Sequence, residues 1–265
     1  MISVRPAAVA GLFYPDDPGE LHAAVTQYLS DAQNDAKFRR WTPKSIIMPH
    51  AGYIYSAMVA APAYDALRGI ADRIRRVVLL GPNHRVPLNK IAAPSVDAFA
   101  TPNGEIPIDN DAIAAIGDLP QVEINDEPHA DEHALEVHPP FLREVLGDFA
   151  LVPLIVGAVD HRAVAQFLKQ LWGGDETLIV ILSDLSHYHG YDPARQIDLK
   201  TAEAIEALQP DAISHDGACG RIAVDGLLLL ADELGLKIER LDLRNFGDTA
   251  GPRDRVVGYG SWILG

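Results

Sequence analysis

The clearest signal along the chain is a set of short, unbroken apolar runs. Residues 45–48 (SIIM), 77–80 (VVLL), 151–156 (LVPLIV) and 178–182 (LIVIL) are each bounded by polar, glycine or proline residues. Runs of this length with no polar face predict strands buried on both sides, as in a sheet covered by helices. Residues 237–243 and 256–264 alternate more and predict later strands. Helical spacing of apolar residues lies between these runs, over 18–30, 56–67, 109–116, 134–146, 161–171, 193–208 and 217–234. The first of these opens on Asp16 or Asp17 with Pro18 in its first turn, a common helix start. Residues 91–108, with TPNGEIPI inside, predict a strand–turn–strand excursion. Strands alternating with helices predict an α/β fold, a central mixed, largely parallel sheet flanked by helices. No internal repeat or linker-like tract divides the chain, so one domain over residues 1–265 is expected.

Composition narrows the partners. With 22 basic and 37 acidic residues the net charge is −15. Nucleic acids and anionic membranes are bound by basic patches that neutralise phosphates or head groups, so neither is an expected partner. A membrane-spanning helix needs about 20 apolar residues. The longest apolar stretch, 149–159, is interrupted by Pro153 and Gly157. The N-terminal MISVRPAAVAGLFYP lacks a basic region followed by an apolar core, so a cytoplasmic location is expected. The single cysteine excludes an internal disulfide.

Three of the buried runs end in a histidine-bearing loop. SIIM leads to Pro49-His50-Ala51-Gly52-Tyr53, VVLL to Gly81-Pro82-Asn83-His84, and LIVIL to Ser183-Asp184-Leu185-Ser186-His187. In open α/β sheets, ligands bind beyond the carboxyl ends of the strands. Parallel pairing would therefore aim His50, His84, Asp184 and His187 at one crevice. Imidazole suits iron, zinc or copper, and two histidines plus one anionic ligand form the non-heme ferrous pattern. Cys219, in GACGR at the start of a helical run, can supply the third ligand, because a helix N-terminus favours the thiolate. The alternative for Cys219 is a small apolar core residue.

A second cluster, EPHADEHALEVH, spans residues 127–138. His129 to His133 spells H-x-x-E-H, a zinc peptidase string, but that motif needs one continuous helix, and Pro128 and Pro139-Pro140 break it. The favoured reading is a loop that presents His133, with Glu136, to the same crevice. His129 and His138 are read as surface or packing residues. Ser183 and Ser186 are not on a glycine-flanked nucleophile elbow, which argues against a serine hydrolase. An aspartate three residues before His187 could orient that imidazole as a base.

In this order and spacing, RPAAVAGLFYP, PHAGYIYS, GPNH, TPNGEIPID, DEHALEVHPPFL, SDLSHY, ACGR and RVVGYG resemble the Memo family, system protein B of the AmmeMemoRadiSam grouping, over essentially the whole chain. The resemblance implies the fold of class III extradiol dioxygenases. There a ferrous ion is held by two histidines and a carboxylate, and another histidine is the acid/base. It implies His50, His84 and Cys219 as metal ligands, with cysteine in place of the dioxygenase glutamate. It implies His187 as the proton-transferring residue beside Asp184, and His133 on the substrate side. Iron (Fe2+) is the expected metal, with copper or zinc as alternatives that suit a soft thiolate. Three expectations follow. One is oxidation of a small aromatic or other oxygen-bearing ligand. Another is a catalytically silent binding or adaptor protein with a vestigial pocket and a small-molecule or peptide ligand. The third is a modification system with radical-SAM and Ammecr-type protein partners. Ala57, where glycine is usual, and Asn103, where leucine is usual, depart from the family pattern but fall on no proposed ligand.

Overall fold

The computed structural model describes residues 2–32 and 41–265. Its strands are β1 (Val4–Arg5), β2 (Ser45–Met48), β3 (Arg76–Pro82), β4 (Ile91–Ala93), β5 (Ala98–Thr101) and β6 (Gly104–Pro107). They continue with β7 (Val122–Ile124), β8 (Ala150–Val156), β9 (Thr177–Leu182), β10 (His187–His189), β11 (Ile238–Asn245) and β12 (Val256–Leu264). The helices are α1 (Pro18–Ala32), α2 (Tyr53–Leu67), α3 (Asn110–Ile116) and α4 (Glu127–Ala130). They continue with α5 (Pro139–Leu146), α6 (His161–Leu171), α7 (Tyr191–Glu206) and α8 (Arg221–Leu234).

The main sheet has the order β10-β12-β2-β9-β3-β8-β4-β7, with β11 paired to β12. Its centre, β2-β9-β3-β8, is parallel: Ile46 lies opposite Val180, and Val78 lies between Ile179 and Val152. β12 runs antiparallel to β2, and β4 antiparallel to β8. The fold is thus α/β with a mixed sheet, largely parallel at its core, as the apolar runs predict. Those runs are unbroken because every residue of β2 and β9 is buried, as is all of β3 and β8 except the first residue of each. Burying each Val, Leu, Ile or Met side chain among them contributes about 1.5–3 kcal/mol. Helices α1, α2 and α5 pack on one another, and α6 packs on α8. Because β2, β9 and β3 point the same way, the loops after Met48, Pro82 and Leu182 leave the sheet at one edge.

Three elements differ from expectation. The excursion at 91–108 divides: β4 joins the main sheet, while β5 and β6 pair with each other and with β1 in a separate three-stranded sheet. The helix expected over 134–146 begins only at Pro139. Proline has no N–H and clashes with the carbonyl four residues earlier, so Pro139-Pro140 can open a helix but cannot continue one. The helix expected over 217–234 begins at Arg221, which leaves Cys219 and Gly220 in a tight turn before it. Among the described residues no helix is long and apolar enough to cross a membrane.

Candidate metal centre

Three loops converge at the carboxyl edge of β2, β9 and β3. His50 is 1% exposed and its backbone N–H donates to Asp184 Oδ1 at 2.8 Å. Asp184 Oδ2 lies 4.0 Å from His50 Nδ1, a buried atom with no hydrogen-bond partner. The other ring nitrogen, Nε2, lies 3.1 Å from Cys219 Sγ. Two further bonds pin the sulfur to the β9 loop: Asp184 N–H donates to Sγ at 3.3 Å, and Cys219 N–H donates to the Asp184 carbonyl at 3.1 Å. Gly220 makes this approach feasible, since a Cβ there would sit 2.2 Å from the Leu182 carbonyl oxygen. Ligand atoms of His50, His84 and Cys219 all lie within 4.8 Å of one another. Metal bonds of about 2.0–2.3 Å span up to about 4.5 Å across one ion, close to this bound, so the N,N,S donor set could hold a metal.

The electrostatics partly overturn the sequence reading. Burial pushes the Cys219 thiol up to about 12, reinforced by the Asp184 charge and only partly offset by the donated N–H groups. The helix dipole therefore does not yield a free thiolate here, and a bound cation would have to supply that stabilisation. Burial also lowers His50 to about 4, so this imidazole stays neutral with a lone pair for a ligand.

The sequence reading left Glu132 without a role, and its place in the structure is central. It is 1% exposed and holds the His84 loop against the turn that carries His133. Its Oε2 accepts from His84 N–H at 2.8 Å. Its Oε1 accepts from His84 Nδ1 at 2.9 Å and from Ala134 N–H at 3.0 Å. His133 Nδ1 faces Oε1 at 3.1 Å without the alignment of a hydrogen bond. Burial alone would raise the Glu132 pKa, but the His133 and His84 rings beside it and the Ala134 N–H hold it far below the usual carboxylate range. Gly81 admits the turn, because a Cβ there would lie 2.8 Å from Leu135. His50, His84 and His133 form a triangle of rings with centroids 4.8–5.4 Å apart, and Phe13 closes on His133 at 4.8 Å. The signal in the sequence was a glutamate directly preceding His133, since ligand histidines commonly lean on a carboxylate.

The other candidates separate. Glu136 does not face the crevice. Its carboxylate accepts from Arg5 Nη1, Ala8 N–H, Val9 N–H and Tyr14 Oη at 2.7–2.8 Å. Arg5 also donates to the carbonyls of His129 and Glu132, which ties the N-terminal segment to the histidine-bearing turn. His129 points away, with Nε2 3.0 Å from the Ala92 carbonyl oxygen, so the H-x-x-E-H string does not bring its two histidines to one ion. His187 sits on β10, half-buried, with its ring 5.7 Å from that of Tyr188, which takes a left-handed φ of 62°. No hydrogen bond or ion pair among the described residues joins His187 to Asp184, whose carboxylate is turned to His50 instead.

His129 and His138 are packing residues, and neither lies at the surface. Tyr64 Oη and His138 Nδ1 share a hydrogen bond of 2.5 Å. Burial lowers His129 to about 4 and His138 to about 3. In the unfolded chain both take protons near pH 6.5. Below that pH the unfolded state binds more protons, so their contribution is complete above pH 6.5 and lost as the pH falls towards 4. Asp198 and Asp225, raised to about 6 by burial, act in the opposite sense below pH 6. The drop in urea midpoint from pH 7.5 to pH 5.5 is therefore expected to be smaller in His138→Gln than in the natural protein. Equal drops would contradict this account.

A family model described as "Memo-like protein" matches residues 5–263. The chain belongs to the Memo-like family. Among its relatives are MEMO1 family proteins of Aquifex aeolicus, 33% identical over 97% of both chains, and of Thermoplasma volcanium, 32% identical over 98% of both. That of Ignicoccus hospitalis is 34% identical over 97% of this chain and 96% of the relative. An uncharacterized protein of Escherichia coli K12 has a similar solved structure, with a TM-score of 0.51 at 12% identity over 83% of this chain and 98% of that one. The last likeness concerns the fold alone. The Memo-like match spans both the N-terminal Arg5 anchor and the segments that carry His50, His84 and Cys219.

Proposed function

We propose that this Memo-like protein binds one metal ion through His50, His84 and Cys219 and uses it on a small aromatic or other oxygen-bearing ligand, in the manner of a non-heme iron dioxygenase. The observation that carries this reading is the meeting of His50, His84 and Cys219 from separate loops at one sheet edge. Ferrous iron is the metal the family pattern favours, while the thiolate in the donor set suits copper or zinc. Such an ion supplies Lewis acidity and oxygen chemistry when bound.

The protein's own residues set the rest. His50 is kept neutral by burial and offers Nε2 as a ligand. Asp184 acts through His50, accepting its backbone N–H and lying beside its Nδ1. His133, lined by Phe13, takes the substrate side and is fitted to accept or return a proton at Nε2. His187 serves as the second proton carrier from the β10 edge. A buried thiol where dioxygenases carry a carboxylate favours one other reading, a binding protein without turnover, because sulfur beside an oxidant is itself oxidised. Oxygen uptake by protein loaded with ferrous iron anaerobically, against a panel of catechols, separates the two. The dioxygenase reading predicts catechol-dependent uptake that is lost in His187→Ala, and no uptake with any catechol would contradict it.

A further inference from the structure

We infer that Glu132 is a positioning residue that sets the tautomers of two imidazoles at once, so that His84 and His133 each keep the proton on Nδ1 and turn a bare Nε2 away from the carboxylate. The inference deepens the metal-site reading and rests on it for the role of His84.

An ionised carboxylate can only accept hydrogen bonds, so a ring nitrogen that faces it must carry the hydrogen. His84 Nδ1 and His133 Nδ1 both face Glu132 Oε1, at 2.9 and 3.1 Å. The proton on each ring is thereby assigned to Nδ1, and the hydrogen bond at one nitrogen decides what the other can do. A bare Nε2 is what His84 needs as a ligand and what His133 needs as a proton acceptor. One side chain thus links the metal-binding half of the crevice to the proton-accepting half, across the 48 positions between His84 and Glu132. His84, Glu132 and His133 also lie close enough to hold an ion among themselves. Against that use, a carboxylate has about four lone-pair sites. Here the His84 and Ala134 backbone N–H groups and the His84 ring meet three of them, and the His133 ring faces the fourth at 3.1 Å. The cluster is built as a lock on two rings, and Glu132 is the buried bolt.

The test uses the whole 265-residue chain, metal-free and labelled with 15N-histidine. Long-range proton–nitrogen correlation at pH 7.5 reports which nitrogen of each ring is protonated, with His84→Gln and His133→Gln supplying the assignments. The expected result is Nδ1–H at both rings in the natural protein, reversion of both to Nε2–H in Glu132→Ala, and retention by at most one ring in Glu132→Gln. Affinity for Zn2+ alone, measured by chelator competition, is expected to fall about 10–100-fold in Glu132→Ala. Nε2–H at both rings in the natural protein, or tautomers unchanged in Glu132→Ala, would overturn the inference. So would Zn2+ displacing the Nδ1 proton of His133, or an affinity unchanged while the tautomers revert. Should Glu132→Ala fail to fold, the natural protein and Glu132→Gln decide the matter. Should the natural protein bind no divalent ion, the metal-site reading fails, while the metal-free spectra still judge Glu132.

Discussion

Cys219→Ala is expected to lower the affinity for a single divalent ion by at least about 100-fold while leaving the fold in place. Losing a partner that only orients a ligand typically costs 10–100-fold, and losing one of three ligands costs more. The sulfur has little else to do. It accepts from the Asp184 N–H at 3.3 Å and lies 3.9 Å from Ser183 Oγ, and the thiol is uncharged at neutral pH because burial pushes it up to about 12. Removing it deletes one small buried atom, worth about 1 kcal/mol of stability. Cobalt is the convenient probe. The natural protein should show a thiolate-to-cobalt charge-transfer band, Cys219→Ser should weaken it, and Cys219→Ala should lack it. Undiminished affinity in Cys219→Ala would remove the sulfur from the ligand set.

Glu136→Ala should show the reverse pattern, a large loss of stability with no ligand removed. The Glu136 carboxylate is 2% exposed and satisfies the Arg5 guanidinium, two backbone N–H groups and the Tyr14 hydroxyl. Truncation leaves a 5%-exposed arginine without its counter-ion, along with three orphaned donors. Breaking a buried ion pair from one side costs about 3–5 kcal/mol. For a chain of this size that is roughly a 10 °C fall in melting temperature. Glu136→Gln, which keeps an acceptor but not the charge, should fall between. A change below about 1 kcal/mol in urea denaturation would show that the Arg5 anchor is not what holds the N-terminal segment on the 127–138 turn.

The contrast between these two residues explains what could be read from the sequence. The central strands were legible because a strand buried on both faces has no polar alternation to confuse it. Their parallel pairing then brought His50 and His84 to one edge, which is all that the strand-end argument needs. Cys219 was legible as a residue but not in its environment. Helix spacing placed it within the first turn of a helix, whereas the tight turn at Gly220 sets it, half-buried, against Asp184. Glu132 and Glu136, four residues apart in one acidic string, were indistinguishable by pattern. Which carboxylate meets imidazoles and which meets Arg5 depends on contacts 48 and 131 positions away in the chain. No local periodicity reports such contacts. The assignment of Asp184 to His187 erred similarly. Three residues' separation suggested a pair, but the backbone of His50, in the loop after the neighbouring strand, takes that carboxylate.

The central claim is that the crevice at the ends of β2 and β3 holds one metal ion on His50, His84 and Cys219. Elemental analysis of protein purified without chelator tests it most directly, with the His50→Ala/His84→Ala double variant purified alongside. The expected result is close to one metal ion per natural chain and essentially none in the folded double variant. Stoichiometric metal that survives the loss of both histidines would contradict the account.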